Sequence, residues 1–139
     1  MEYPATTATV ETLPNGLTVI LQPEPANPVI STQIWVETGS MHEDQHLGSG
    51  VSHFLEHMAF RDSERFPDSG LVSSIYAVGG EWHGYTWLDQ TTYFATAPRE
   101  QLDLLLSIEA DRMARLNISA DKVLVERGAV ITELHSYEN

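Results

Sequence analysis

The alternation of hydrophobic and polar positions reads as strands first, and then as helix and strand in turn. Thr9 to Leu13 and Leu17 to Gln22 flank Pro14-Asn15-Gly16, which marks a β-hairpin. Pro23, Pro25 and Pro28 follow, so the next stretch is a rigid loop and not a central strand. Val29 to Val36 is rich in β-branched and aromatic residues and predicts a well-buried strand. Gly39 to Gly50 is polar and glycine-rich, and Ser49 or Ser52 can cap the helix that comes after it. That helix carries apolar Val51, Phe54, Leu55 and Met58, which predicts that it is largely buried.

Beyond a polar loop from Arg61 to Pro67, Asp68 or Ser69 can cap a short helix running to Ala77, with Leu71, Val72, Ile75 and Tyr76 as its apolar side. Gly79-Gly80 ends it. Glu81 to Tyr85 and Thr91 to Ala97 read as strands, the second the fuller. Pro98 with Arg99-Glu100 opens a helix to about Leu116, with Leu102, Leu105, Leu106, Met113 and Leu116 along one stripe. Asn117-Ile118-Ser119 matches a glycosylation sequon and is read as a turn, with Ser119 capping a last helix to about Tyr137. No internal repeat, low-complexity tract or linker divides the chain, so residues 1–139 are read as one domain.

Composition narrows the function classes. With 139 residues and 42% hydrophobic content the chain can bury one core, and no stretch approaches the roughly 18–20 apolar residues of a membrane span. The amino terminus, Met1 to Thr7, lacks the charge and apolar run of a secretory signal, so the cytoplasm is the expected compartment. Seven Lys and Arg against 20 Asp and Glu give a formal charge of −13, which argues against nucleic acid and anionic membrane as partners. Such acidity serves solubility, or an acidic chamber that favours basic peptides. There are no cysteines, so any metal must be held by nitrogen and oxygen.

The chemistry is carried by His53-Phe54-Leu55-Glu56-His57. Positions i and i+4 of a helix lie on one face, so His53 and His57 can turn two imidazole nitrogens to one ion. Glu56 falls beside that ion, where a carboxylate can act as general base on a metal-bound water. The motif is the reversed form of the commoner zinc-peptidase signature. Five residues alone fit equally well a pair of core histidines with satisfied hydrogen bonds. A catalytic zinc needs a third protein ligand, and the last helix offers candidates. Glu126 and Glu133 stand seven apart, nearly on one side of that helix, with Ala129 and Val130 between them. Either glutamate alone would read as solvated surface. Together on an apolar stripe they are costly unless paired or metal-bound. Gly128 is unfavourable in a helix by about 1 kcal/mol against alanine, and is read as allowing close approach of the two metal-bearing helices.

In this order the motifs resemble the amino-terminal domain of the pitrilysin/insulinase (M16) family of zinc peptidases, which includes the mitochondrial processing peptidases. The matching stretches are Leu13 to Leu17, Val36 to Ser40, Gly50 to Phe60, Glu64 to Pro67, Gly79-Gly80, Thr86 with Asp89 to Tyr93, Glu109 to Met113, and Glu126-Arg127 leading to Glu133. His57 and Glu133 are 76 positions apart, which suits the family gap. The resemblance implies one Zn2+ per chain held by His53, His57 and Glu133, with Glu56 as general base and Glu126 as the residue orienting the site. It implies that a peptide or unfolded segment adds as a strand to the edge formed by Trp82, His83, Gly84 and Tyr85.

The chain departs from the family at two points. His83-Gly84 stands where the family has Asn-Ala, so His83 either replaces that asparagine's hydrogen bond or approaches the metal. The chain is also shorter than the family domain, whose related second domain closes over the substrate. The expected architecture is therefore an α/β domain of the α+β type, a pitrilysin/insulinase-like half-domain with a mixed, largely antiparallel sheet and helices packed on one face. The expected function is zinc-dependent endopeptidase chemistry with a second such domain, a partner chain or a homodimer; exchanged elements would cover the apolar side of the last helix. The rivals are a zinc-binding but incomplete half and a silent peptide-binding subunit. Silent members of the family have usually lost metal and base positions that are intact here.

Overall fold

Antiparallel pairing accounts for the strands of the computed structural model, which describes residues 7–137. β1 (Thr9–Thr12) and β2 (Thr18–Leu21) form the expected hairpin, with Thr9 opposite Leu21. Asn15 Oδ1 accepts the Leu17 N–H at 3.1 Å, and Gly16 takes φ 89°, as such a turn requires. A separate sheet has the order β3 (Val29–Val36), β5 (Thr91–Pro98), β4 (Glu81–Thr86), both pairings antiparallel. β5 lies in the middle, which leaves β4 as an edge.

Helices cover one face of this sheet. Leu71 and Ile75 of α2 (Gly70–Ala77) and Leu105 and Ile108 of α3 (Leu102–Arg115) bury Ala95 and Ala97 of β5. Ala59, Phe60 and Tyr93 form a second nucleus, with Ile34, Val36 and Trp82 against it. Because no described helix covers the other face, β3 is not the well-buried strand its composition predicts. It alternates, leaving Val29 and Trp35 exposed, and β5 is the buried strand. Close approach fixes the α2–β4 connection. A Cβ on Gly80 would lie 2.8 Å from Ile75 Cγ2 and 2.9 Å from the Thr96 carbonyl.

The helices themselves correct several expectations. α1 (Val51–Met58) buries Glu56 and Met58 but exposes Val51 and Leu55, so it is only half covered. Ser69 occupies the start of α2 with φ 63° and no side-chain bond; its carbonyl instead accepts from Ser73 N–H at 3.1 Å. The inward face of α3 is Leu105, Ile108, Glu109 and Arg112, while Leu102, Leu106 and Met113 of the expected stripe are exposed. A 3-10 turn, Arg99–Gln101, precedes α3, and the inward face of α3 carries a charge pair that hydrophobic periodicity does not register. The Arg112 guanidinium lies 4.4 Å from the Phe60 ring centre and 4.9 Å from that of Tyr93, with Glu109 Oε2 at 3.4 Å. Burial pushes the Tyr93 hydroxyl up to about 12.

α4 (Ala120–Tyr137) packs on α1 through few residues. Leu124, Val125, Ile131 and Leu134 are exposed, and so is Ala129, which the sequence places on a buried stripe. A Cβ on Gly128 would meet nothing within 4 Å, so Gly128 does not serve close helix approach. Among the described residues no helix is long and apolar enough to cross a membrane.

The two glycines should respond oppositely to alanine in urea unfolding. Gly80→Ala is expected to lower the unfolding free energy by about 1–3 kcal/mol through overpacking. Gly128→Ala is expected to raise it by about 1 kcal/mol. A destabilising Gly128→Ala would mean that α4 is crowded there after all.

Candidate metal centre

α1 is aimed by the loop before it. Gly50 stands at its N-terminus with φ 76°, and neither Ser49 nor Ser52 caps it. Glu43 does so from outside the helix. Its carboxylate accepts the Ser52 N–H at 2.9 Å, the Gly50 N–H at 3.3 Å and the Ser49 hydroxyl at 3.4 Å. The Ser52 amide, chiefly, holds the Glu43 carboxyl below its usual range against the opposite pull of burial. The same loop is stitched to the β4–β5 turn, where Ser40 and Met41 N–H groups donate to the Trp87 and Leu88 carbonyls at 3.0 and 2.8 Å.

From this platform His53 and His57 face each other, Nε2 to Nε2, at 3.1 Å. α4 brings Glu133 to the same point, with Oε2 3.1 Å from His57 Nε2 and Oε1 3.8 Å from His53 Nε2. These donor atoms lie within 4.8 Å of one another and are partly exposed. A four-coordinate zinc with bonds of about 2.1 Å separates its donors by about 3.4 Å. The observed spacings bracket that value, and two imidazoles with one carboxylate are a zinc-type donor set, so the residues fit the ion.

Glu126 is buried behind the histidine pair. His57 Nδ1 donates to its Oε1 at 2.9 Å, which turns the other ring nitrogen, Nε2, toward Glu133. Arg61 Nε donates to its other oxygen. Burial alone would raise the Glu126 carboxyl, but the bonds from Arg61 and then His57 hold it below its usual value. Glu56 is buried beside the donors, outside their ring, and its Oε2 accepts the Thr86 hydroxyl at 2.8 Å. Thr91, 3.5 Å from that hydroxyl, donates to the Thr38 carbonyl at 2.8 Å.

Strand alternation turns Trp82, Gly84 and Thr86 toward α1 and leaves Glu81, His83 and Tyr85 on the far side. His83 stacks there on Phe94, ring centres 5.4 Å apart, and does not join the donor group. Gly84 is required by contact. A Cβ there would fall 2.6 Å from the Phe60 ring and 3.0 Å from Glu56 Oε1. A cleft of about 930 Å³ opens between α1, α4 and β4, with Phe60, Val72, Tyr76 and Trp82 as an apolar wall beside the donors.

Sequence reasoning assigned no role to Glu43, Arg61 or Thr86. Arg61 directly follows the motif segment and Thr86 falls inside a matched stretch, so both were within view. Glu43 lies in a loop whose composition gives no sign of a cap.

Fold and donor set together define a class: an α+β domain with a two-histidine, one-glutamate pocket on two packed helices. Comparison with known proteins gives it a family. Residues 18–139 match the family model "Insulinase (Peptidase family M16)". A probable mitochondrial-processing peptidase subunit beta of Arabidopsis thaliana is 30% identical over 93% of this chain and 24% of its own length. An uncharacterized zinc protease of Mycobacterium tuberculosis is 34% identical over 88% of this chain and 28% of its own. The crystal structure of a protease from Helicobacter pylori superposes with a TM-score of 0.86 at 30% identity, covering 92% of this chain and 31% of that one. The chain belongs to the insulinase family, peptidase family M16, and spans between 24% and 31% of the lengths of these relatives.

The Glu43 cap gives a pH signature. A carboxyl whose folded pKa is depressed contributes stability above its unfolded pKa, near 4.5, and loses it as pH falls through the folded value. Glu43→Gln should therefore be less stable than the parent at pH 7, with the two urea midpoints converging as the pH is taken below that range. A deficit of the same size at pH 7 and pH 3 would show that Glu43 does not act as a charge.

Proposed function

We propose that this chain is the metal-bearing part of a zinc-dependent endopeptidase acting on peptides or unfolded segments. The supporting observation is the meeting of His53, His57 and Glu133 at one point with Glu56 alongside, outside the donor ring. Zinc bound by these three residues would lower the pKa of a coordinated water toward neutrality and polarise the scissile carbonyl. Glu56 takes the proton of the attacking water and returns it to the leaving amine. Thr86 holds Glu56 by one oxygen, leaving the other for that proton. Glu126 keeps the proton of His57 on Nδ1, so that Nε2 serves as a ligand.

The substrate adds as a strand to the outer edge of β4, which has no neighbour among the described strands. Main-chain pairing there needs no particular side chain at His83. A second domain or partner chain completes the chamber; what supports this is that the chain spans under a third of the length of its matched relatives. That same coverage favours a second reading, in which the chain binds zinc but cannot turn peptides over by itself.

Metal analysis of the purified chain should give about one zinc, and His53→Ala should lose it. A quenched peptide should be cleaved, with cleavage abolished by a chelator and by Glu56→Gln, the latter still holding zinc. Zinc without cleavage favours the incomplete half; neither zinc nor cleavage sinks the peptidase reading and leaves a silent subunit.

Thr86→Val separates orientation of the base from metal binding. It should lower kcat by about 10–100-fold with zinc content unchanged. An unaltered kcat would remove Thr86 from the mechanism.

A further inference from the structure

α1 and α4 are tied by charges set in crossed order. Arg61 donates to Glu126, and the very next residue, Asp62, receives the ammonium of Lys122, four positions before Glu126. Asp62 is only 2% exposed. Its Oδ1 accepts the Asp68 N–H at 2.9 Å, its Oδ2 accepts Asn117 Nδ2 at 2.7 Å as well as Lys122, and its carbonyl accepts the Asn117 N–H at 3.0 Å. Lys122 also lies 3.5 Å from Asp68 Oδ1. The loop leaving the histidine helix is thus pinned both to the turn before α4 and to its first turn.

Apolar packing does not do this work. On α4, Leu124, Val125, Ile131 and Leu134 are 41–70% exposed, and among the described residues of the helix Glu126 is the buried one. Lys122, Glu126 and Glu133 recur on one side of the helix, so a slip of one residue, about 100° and about 1.5 Å, would carry Glu133 away from the histidines. Two ion pairs of opposite sense admit one register, because sliding α4 by a turn would set Arg61 against Lys122.

We infer that Asp62 and Lys122, crossed with Arg61 and Glu126, are positioning residues: a register clamp that sets where α4 presents Glu133 to His53 and His57. The inference rests on the metal site proposed above. Asp62 and Lys122 touch neither the donors nor the cleft that holds Glu56, and they act through the placement of the helix.

The chain has no cysteine, so cysteines introduced at the exposed positions Leu55 and Leu134 can carry a pair of spin labels on the full chain. In metal-free protein the parent and Lys122→Arg should give one narrow label-to-label distance, and Lys122→Met a broadened or shifted one. Chelator competition with Zn2+ should then give about tenfold weaker binding for Lys122→Met and parent-like binding for Lys122→Arg. Lys122→Gln replaces Lys122→Met if the latter does not fold. A Lys122→Met distance distribution identical to the parent's overturns the clamp, and so does an altered distribution with unchanged zinc affinity. A parent chain that binds no zinc sinks the metal reading, while the metal-free distances still decide whether the pairs set the register.

Discussion

The hydrogen bond from His57 Nδ1 to Glu126 joins segments 69 residues apart, and much of the site depends on it. Neither partner helix is well secured by its own packing. α1 has eight residues, below the roughly 12–15 at which an isolated helix becomes even marginal in water. α4 exposes most of its apolar side chains. What fixes them against each other is polar: His57 and Arg61 on Glu126, and Lys122 on Asp62. Polar contacts of this kind are directional, so they specify a geometry where a loosely covered apolar face would accept several. The same bond that docks α4 also selects which nitrogen of His57 faces the other donors.

The sheet contributes the other half of the arrangement. In the proposed reading a peptide added to its edge strand runs past the candidate donors, which requires that strand to lie close to α1, and Gly84 permits that approach. The contact that a Cβ would violate includes the carboxylate of Glu56. Thr86, two residues on and on the same side of β4, then binds that carboxylate. Strand alternation thus places a close-packing residue and an orienting residue on one face. The main-chain groups along the outer edge stay free for pairing among the described strands.

Much of this was legible in the sequence, and the failures follow a rule. Hairpin, strands and helices fell where turn residues and periodicity placed them, because these are local signals. That His53, His57 and Glu133 could meet at one point was legible because the two histidines share a helical face and Glu133 lies in a recognisable order of motifs. What went wrong were judgements of burial. Val29 to Val36 looks like a strand covered on both faces, yet only one face meets helices. Of the stripe suggested by the leucines of α3, Leu105 points in but Leu102, Leu106 and Met113 point outward, while Glu109 and Arg112 point in. Caps failed for a related reason. Serines beside a helix start predict a local cap, and the loop supplies Glu43 from outside the helix instead. Burial and long-range capping depend on which faces meet, and no short window contains that information.

The buried carboxylates also bear on the choice of general base. Glu43, Asp62, Glu109, Asp111 and Glu126 are all buried; four of them meet a cationic side chain, and Glu43 accepts backbone N–H groups. Glu43 sits on the amides of a helix N-terminus, Asp62 on Lys122, Glu109 on Arg112, Asp111 on Arg115 and Glu126 on Arg61. This is the ordinary way to make a buried charge tolerable. Glu56 is buried to the same degree, yet the partner it holds is one neutral hydroxyl, that of Thr86. A carboxylate locked in an ion pair is a poor proton carrier, because taking up a proton means giving up the pair. Glu56 forms no ion pair with a described residue, and in the proposed mechanism it lies beside the donors where the attacking water would be. Among the described buried carboxylates Glu56 is the one that takes neither a cation nor backbone amides, and it is the one that the motif places next to the candidate metal site.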